Sequence, residues 1–292
     1  MSPAKQLQAR RISALRCSNF ALAKAFVEFS CWRFMGPPNV AIPQHLFAGW
    51  LDITVCVPPD LGLRVLLEKN GTRAAVIGTL RQLVADHFYD ADLLSRLGFE
   101  QAADIVRANL PTRKHIRSGD LGEILATEYV TWQTGFFIPL KKLRHKDDRD
   151  QPMRGNDVIG LRVLDGAYWV LKGEAKSAVV MDDATVTSAC TTLVNDDHRP
   201  KASTLVFISR MLRMLGRDAE AEQIDRLQSS PVVFDRVVHL VFSFSGNDPE
   251  PMLRPHAGPL APINDRRLVG LRVNDHQAFI DLVFQRDDAG NP

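Results

Sequence analysis

The sequence lacks the cysteine patterns that hold together small secreted domains or zinc sites. Its four cysteines, Cys17, Cys31, Cys56 and Cys190, are scattered along 292 residues and form no CxxC pair. No cluster of histidines accompanies them. Isolated thiols of this kind are typical of a reducing compartment, so we expect free cysteines and no structural zinc.

Long apolar runs are also missing. No stretch approaches the ~18 consecutive apolar residues that a membrane-spanning helix needs. The N-terminus is basic, and Lys24, Glu28 and Arg33 interrupt the apolar segment that follows it. This pattern argues against a signal peptide. We therefore expect a cytoplasmic protein with no membrane partner.

A strong excess of charge of either sign is absent as well. The chain has 36 basic and 34 acidic residues, which gives a formal net charge of +2. A protein that binds DNA on its own is often more basic than this. Any contact with DNA must therefore come from local basic patches or from a partner protein.

One stretch, GNDVIGLRVLDGAYWVLKGEAKS at residues 155–177, has the pattern of a β-hairpin. Residues 158–164 are rich in β-branched and apolar side chains, and Asp165-Gly166 is a strong signal for a two-residue turn. Residues 168–175 form the predicted return strand. Because both arms are apolar, we expect the hairpin to lie centrally in a sheet.

Three charged residues lie at the open end of this hairpin. Side-chain alternation places Glu174 and Lys176 on the same side of the second strand, and pairing of the strand ends places Asp157 beside Glu174. Two carboxylates supply the oxygen ligands that Mg²⁺ (or Mn²⁺) prefers. Lys176 can orient a water molecule or offset charge on a phosphate. The alternative is a surface salt bridge at a strand end, although charges that end an apolar hairpin are costly without a purpose.

An aspartate, a hairpin of this length and the sequence Glu174-Ala175-Lys176 resemble the signature of the PD-(D/E)xK nuclease superfamily. Asn156-Asp157 stands where that superfamily has Pro-Asp. The resemblance implies an α/β (α+β) fold in which a restriction-endonuclease-like mixed sheet is flanked by helices. It also implies that Asp157 and Glu174 bind the metal, with the Ala175 carbonyl as a further ligand, and that Lys176 is catalytic.

The superfamily also brings a glutamate into the site from a helix that precedes the hairpin. The segment GDLGEILATEY fits such a helix, predicted at residues 119–132, with Ser118 or Asp120 as its cap. The resemblance makes Glu123 the catalytic and metal-binding glutamate. Glu128 is the second candidate, although it is more typical of a solvated carboxylate on a helix.

Four basic residues near the hairpin are predicted to bind nucleic acid. Lys141, Lys142 and Arg144 belong to a basic run before the hairpin, and Arg154 adjoins the predicted metal site. Contacts with phosphates need such charges. The alternative for the run is a solvated loop whose charge the neighbouring aspartates balance.

The segments SGDLGEILATEY and GNDVIGLRV…YWVLKGEAKS further resemble the HamA family, the nuclease subunits of the Hachiman anti-phage defence system. That resemblance covers about residues 111–290, and it implies DNA as the substrate and a HamB-like helicase subunit as the partner. We accordingly predict a PD-(D/E)xK nuclease-like domain over residues 112–292. Residues 1–34 carry no chemistry and are predicted to form a tail, and residues 35–111 are predicted to form an α+β accessory region.

The remaining elements follow from periodicity and from turn residues. We predict strands at 50–57, 135–140, 205–209, 232–245 and 268–273, helices at 74–88, 91–110, 184–196, 211–228 and 275–284, and a proline-rich loop at 247–262.

The sequence thus predicts a metal-dependent DNA endonuclease that acts in anti-phage defence together with a helicase. Two alternatives stay open. The chain is either a non-catalytic subunit that keeps a nuclease-like fold to bind DNA or a partner, or a stand-alone restriction-type endonuclease.

Overall fold

The computed structural model describes residues 46–56, 62–89, 110–229, 236–263 and 265–285, all of which belong to the unit Gln44–Pro292. Within these ranges, six strands form one mixed sheet. They are β1 (Leu51–Val55), β2 (Leu63–Glu68), β3 (Val158–Leu164), β4 (Ala167–Ala178), β5 (Val237–Ser245) and β6 (Asp265–Arg272).

Helices surround this sheet. They are α1 (Leu46–Trp50), α2 (Arg73–Phe88), α3 (Lys114–Gln133), α4 (Asp183–Val194), α5 (Ala202–Met214), α6 (Asp218–Ser229), α7 (Glu250–Leu253) and α8 (His276–Phe284), with 3₁₀ turns at Lys142–His145 and Arg254–His256. None of the helices in the described ranges combines the length and the apolar character that crossing a bilayer requires.

The strand order is β1-β2-β6-β5-β4-β3. The outer pairs β1–β2 and β3–β4 are antiparallel, and the inner pairs β2–β6, β6–β5 and β5–β4 are parallel. Strands β1 and β2 come from the predicted accessory region, and they extend the same sheet through the pairing of β2 with β6. The predicted mixed sheet is therefore confirmed, while the division of the chain into domains stays a prediction.

The sheet is covered on both faces. Val241 belongs to an apolar cluster with Ala189 and Leu193 of α4. The next residue of β5, Phe242, contacts the ring of Tyr129 in α3, with ring centroids 5.8 Å apart. Because successive strand residues point to opposite faces, α4 and α3 lie on opposite sides of the sheet. The predicted flanking of the sheet by helices is confirmed.

The predicted hairpin is confirmed in its position, turn and register. Asp165 and Gly166 both have positive φ, 51° and 73°, as a type I′ turn requires. Val158 pairs with Gly173 at the open end. Strand β3 is the last strand of the sheet, however, so the central position that the apolar arms suggested holds for β4 alone.

Several predicted helices and strands are confirmed near their predicted positions, with β1, α2, α4, β5, β6 and α8 among them. Asp182 caps α4 by accepting a hydrogen bond from the Thr185 amide at 2.8 Å. The helices predicted at 91–110 fall almost wholly outside the described residues. The predicted loop at 247–262 contains α7 and the second 3₁₀ turn.

The strand predicted at 205–209 is wrong, because these residues belong to α5. Leu205, Ile208 and Leu212 are buried, whereas Val206 is 55% exposed. This is the 3.6-residue period of a helix that lies on an apolar surface. Gly216, with φ 71°, ends the segment and divides the predicted helix 211–228 between α5 and α6.

The helix predicted at 119–132 begins earlier, at Lys114, so neither of the predicted caps is correct. Ser118 instead shares a hydrogen bond of 2.7 Å with Ser177. Asp120 accepts one from Lys146 at 2.6 Å. The strand predicted at 135–140 is reduced to a single bridge between Phe137 and Leu161, since a proline follows that cannot donate to a ladder.

Candidate functional site

The site is built at the end of β4 where the strand leaves the hairpin. Glu174 and Lys176 point to the same face of the sheet, as alternation predicted. The Lys176 Nζ donates to the Glu174 Oε1 at 2.8 Å, and Glu174 is only 6% exposed. A carboxylate and an amine are therefore fixed against each other in a nearly buried position.

Asp157 joins this pair from the start of β3. The pairing of Val158 with Gly173 places Asp157 across from Glu174. The Asp157 Oδ2 accepts a hydrogen bond from the Ala175 amide at 2.8 Å. Burial raises the pKa of both carboxyls, and the charge of Asp157 raises that of Glu174 further. The charge of Asp157 thus makes Glu174 harder to ionise, which a cation between them would relieve.

Glu123 reaches the same place from α3. Gly122 lets this helix lie close to β4, since a Cβ there would stand only 3.3 Å from the Ser177 Cβ. The Glu123 side chain is 13% exposed. Burial and the charge of Asp157 raise its pKa well above the usual value. The structure therefore brings together the four residues that the sequence predicted as catalytic, and their catalytic role stays a prediction.

Lys142 is the buried cation of this group. It is 7% exposed, its Nζ lies 3.9 Å from the Glu123 Oε2, and it donates a hydrogen bond to the Asn156 carbonyl. Its charge lowers the pKa of Asp157 against the effect of burial. The sequence placed Lys142 in a basic run that was predicted to bind DNA, and nothing in that run distinguishes the one lysine that faces inward.

Lys176 is held in its charged form. Burial alone would lower its pKa, but the hydrogen bond and the charge of Glu174 raise it above the usual value. A protonated amine can donate to a phosphate oxygen and offset its charge, but it cannot accept a proton. This electrostatic environment favours charge stabilisation over general-base chemistry for Lys176.

Lys201 is a third cation near the carboxylates, and the sequence did not predict it as a site residue. Its backbone amide donates to the Asn156 Oδ1 at 2.7 Å, and the Asn156 amide donates to the Thr204 Oγ1 at 3.1 Å. The charge of Lys201 lowers the pKa of Asp157 and of Glu174 against burial. In the sequence, Lys201 stands out only as a member of the short basic segment His198-Arg199-Pro200-Lys201.

The other residues predicted to bind nucleic acid differ in how far they are engaged within the protein. Lys141 lies 3.3 Å from Glu128. Arg144 donates twice to the Asp86 carbonyl, at 2.9 and 2.7 Å. Arg154 is exposed, beside the site, and has no partner among the described residues. Arg154 is thus the one of the four best placed for an external anion, and the prediction for all of them stays untested.

Glu128 is not the solvated carboxylate that its position on the helix suggested. It lies 2.7 Å from the buried His87 and 3.3 Å from Lys141. Burial opposes its ionisation, but the hydrogen bond and charge of His87, with Lys141, lower its pKa to about 2. Glu128 therefore belongs to a structural charge cluster.

Lys172 shows that a charge on this face can be purely structural. It is two residues before Glu174, and it donates to the Leu193 and Asn195 carbonyls at 3.0 and 2.7 Å. These carbonyls lie at the C-terminal end of α4, where no amide of the same helix follows to donate a hydrogen bond to them. Burial lowers the pKa of Lys172 to about 8. Its contacts are those of a helix cap.

The donor set fits a hard divalent cation that keeps several waters. Within the described ranges, no group of three or more His, Cys, Asp or Glu side chains is arranged to hold a metal ion. Mg²⁺ is usually bound through one or two carboxylates with waters and phosphate in the other positions. Asp157 and Glu174 each have one carboxylate oxygen without a hydrogen-bond donor among the described residues. The pair meets that requirement, and the metal-binding role predicted for Glu123 stays a prediction.

Comparison with known proteins places these residues in a family context. The HamA family model matches residues 46–286 of the chain. The chain is also similar to the Hachiman protein HamA of Bacillus cereus, with 27% identity over 195 residues. This alignment covers 66% of the chain and 68% of that protein.

Proposed function

The chain belongs to the HamA family, and from that premise we propose that it is a metal-dependent DNA endonuclease of the PD-(D/E)xK type that acts in anti-phage defence. Its Bacillus cereus relative is a protein of the Hachiman system. We propose the same system for this chain, with phosphodiester hydrolysis as its reaction and a HamB-like helicase subunit as its partner.

One observation carries the proposal. Asp157 directly precedes β3 and Glu174 lies in β4, yet they share the open end of one hairpin, where Lys176 is hydrogen-bonded to Glu174. Both carboxyls have raised pKa values. Burying two like charges together costs free energy unless a cation offsets them. Such a cost is reasonable at a site that binds a metal and a phosphate.

Each residue of the site would have its own role in the reaction. Asp157 and Glu174 would hold Mg²⁺ or Mn²⁺, which supplies a water of lowered pKa and offsets charge on the phosphate when it is bound. Glu123, whose raised pKa makes its carboxylate a better base, would accept a proton from the attacking water at the side of α3. Lys176 would donate to a phosphate oxygen as negative charge develops there. The charge of Lys142 favours the ionised forms of Glu123 and Asp157.

The low net charge of the chain supports the proposal that it acts with a partner protein. A net charge of +2 gives little general attraction for DNA. Arg144 and Lys141, which the sequence predicted as DNA contacts, are engaged with groups of the protein itself. A helicase subunit would add to the affinity of this chain for DNA and bring an opened strand to the site.

Plasmid degradation with Mg²⁺ tests the proposal. Wild type and Lys176→Ala are compared with and without the helicase subunit. Lys114→Ala is the matched control, since its side chain is 72% exposed at the start of α3. We expect wild type and Lys114→Ala to cleave, and Lys176→Ala to lose about a hundredfold or more in rate.

The outcomes separate the alternatives. Equal cleavage by wild type and Lys176→Ala would place the activity elsewhere. Cleavage at one defined sequence without the helicase would favour a stand-alone restriction-type enzyme. A folded chain that binds DNA or the helicase but never cleaves would be a non-catalytic subunit.

A further inference from the structure

A cleft of about 420 Å³ lies directly beside the site. Gly155, two residues before Asp157, lines it, and the other wall comes from the first turns of α5. Its volume is in the range of pockets that hold small organic ligands, and it is too small for a duplex. We call it the Arg154 cleft. Residues that line it include Gln151, Met153, Arg154, Ser203 and Phe207.

The cleft has an aromatic wall. The ring of Phe207 meets the imidazole of His145 edge to face, with centroids 6.1 Å apart. Met153 and Pro152 add apolar surface to the same cleft. Aromatic and apolar surfaces next to a basic residue are what proteins use to stack unpaired bases.

The charges around the cleft select a base over a phosphate. Arg154 is exposed and has no partner among the described residues. Asp147 and Asp148 also line the cleft, and the charge of Lys146, which lines it too, is paired with Asp120, so a second phosphate group inside the cleft would be repelled. A nucleobase is neutral, and its exocyclic amines can donate to carboxylates and to the Gln151 side-chain oxygen.

The cleft is also held in a fixed position relative to Asp157. Asn156 is fully buried, and its backbone and side chain bond to Thr204 and Lys201 at the start of α5. Gly155 has φ 103°, and a Cβ there would collide with the Thr204 Oγ1. The loop that carries Asp157 is therefore hydrogen-bonded to the start of the helix that forms the other wall of the cleft.

We infer that the Arg154 cleft takes one unpaired nucleobase of the DNA strand, next to the phosphodiester held at Asp157 and Glu174. The inference rests on the proposed function and deepens it, because it makes the substrate an unpaired strand or an extruded nucleotide. Arg154 would contact the phosphate at the mouth of the cleft, and Phe207 would stack on the base.

Binding measurements in a cleavage-silent protein test this. The Glu174→Gln variant is used throughout, with Mg²⁺ and a labelled single-stranded oligonucleotide followed by fluorescence anisotropy. Ser203→Trp fills the cleft from an exposed position on α5. Val206→Trp is the matched control, since Val206 is 55% exposed on the same helix and does not line the cleft.

We expect Ser203→Trp to weaken binding about tenfold, the size of one stacked base, and Val206→Trp to change it little. A single abasic nucleotide, moved along the oligonucleotide, gives a second measurement. One abasic position should cost about as much as Ser203→Trp, and that cost should vanish when Ser203→Trp is already present.

The inference and the proposed function can fail separately. If Lys176→Ala abolishes plasmid cleavage but Ser203→Trp and the abasic scan leave binding unchanged, the nuclease stands and the cleft does not hold a base. Equal losses from Ser203→Trp and Val206→Trp would also overturn the inference. A Glu174→Gln protein that binds no oligonucleotide at all would overturn the cleft inference too, whereas plasmid cleavage decides the nuclease.

Discussion

The side-chain oxygen of Asn156 accepts a hydrogen bond from the Lys201 amide at 2.7 Å, and Asn156 is completely buried. The backbone amide of Asn156 donates to the Thr204 Oγ1 at 3.1 Å. Proline, which the PD-(D/E)xK signature has at this place, has no amide proton and no side-chain acceptor. Asn156 therefore fixes the loop that carries Asp157 through two hydrogen bonds that a proline at this position could not make.

Replacing Asn156 should test the contribution of these two hydrogen bonds to stability. We expect Asn156→Ala to lower the free energy of unfolding by about 1–2 kcal/mol, because the Lys201 backbone amide loses its acceptor. Asn156→Pro should cost more, since the bond to Thr204 is lost as well. Chemical denaturation of both variants measures this, with the exposed Asn70→Ala as the control. A proline variant as stable as wild type would contradict the assignment.

Lys142 and Arg154 should behave differently, although both belong to the residues predicted to bind nucleic acid. Lys142 is buried against Glu123 and Asn156, so Lys142→Met should lower cleavage and leave DNA affinity in the Glu174→Gln background unchanged. Arg154→Gln should weaken binding and reduce the slope of affinity against salt by about one phosphate contact. Anisotropy titrations over a range of salt concentrations measure both. A loss of affinity in Lys142→Met would restore its predicted role as a DNA contact.

The lowered pKa of Glu128 predicts that the free energy of unfolding depends on pH. Its pKa falls from 4.5 to about 2 on folding, so the native state binds fewer protons than the unfolded state between these values. The ionised group therefore stabilises the protein above pH 4.5, by up to about 3 kcal/mol. That contribution is lost as the pH falls towards 2.

Replacement of Glu128 measures this contribution. Glu128→Gln should unfold more easily than wild type at neutral pH, and the difference should narrow as the pH is lowered from about 5 to about 3. Glu222→Gln is the control, because Glu222 forms an exposed pair with Arg226 and such pairs contribute little. A difference between wild type and Glu128→Gln that stays constant with pH would show that the charge of Glu128 is not responsible.

Much of the site follows from local sequence rules. The Asp165-Gly166 turn sets the register of β3 against β4, and that register alone places Asp157 across from Glu174. Alternation then puts Lys176 beside Glu174. These are short-range constraints, since a hairpin closes within its own segment and needs no other part of the chain to define its partners.

Errors appeared where an apolar run was compatible with two periods. Residues 205–209 are apolar enough for a buried strand, yet they form the middle of α5. Burial of Leu205, Ile208 and Leu212 against Ile159 and Leu161 of the hairpin decided this. A short apolar run does not specify its own period, because the period depends on the shape of the surface that covers it.

The sequence by itself determined the hairpin, its register and the pairing of Asp157 with Glu174 and Lys176, because adjacent residues and a tight turn fix them. Only the tertiary structure decided that Lys142 turns inward while Arg154 stays in solvent, that Glu128 pairs with His87, and that Asn156 binds the start of α5. Those outcomes join segments far apart in the chain. Burial and electrostatics, which select among residues of identical local type, act only once these segments are packed.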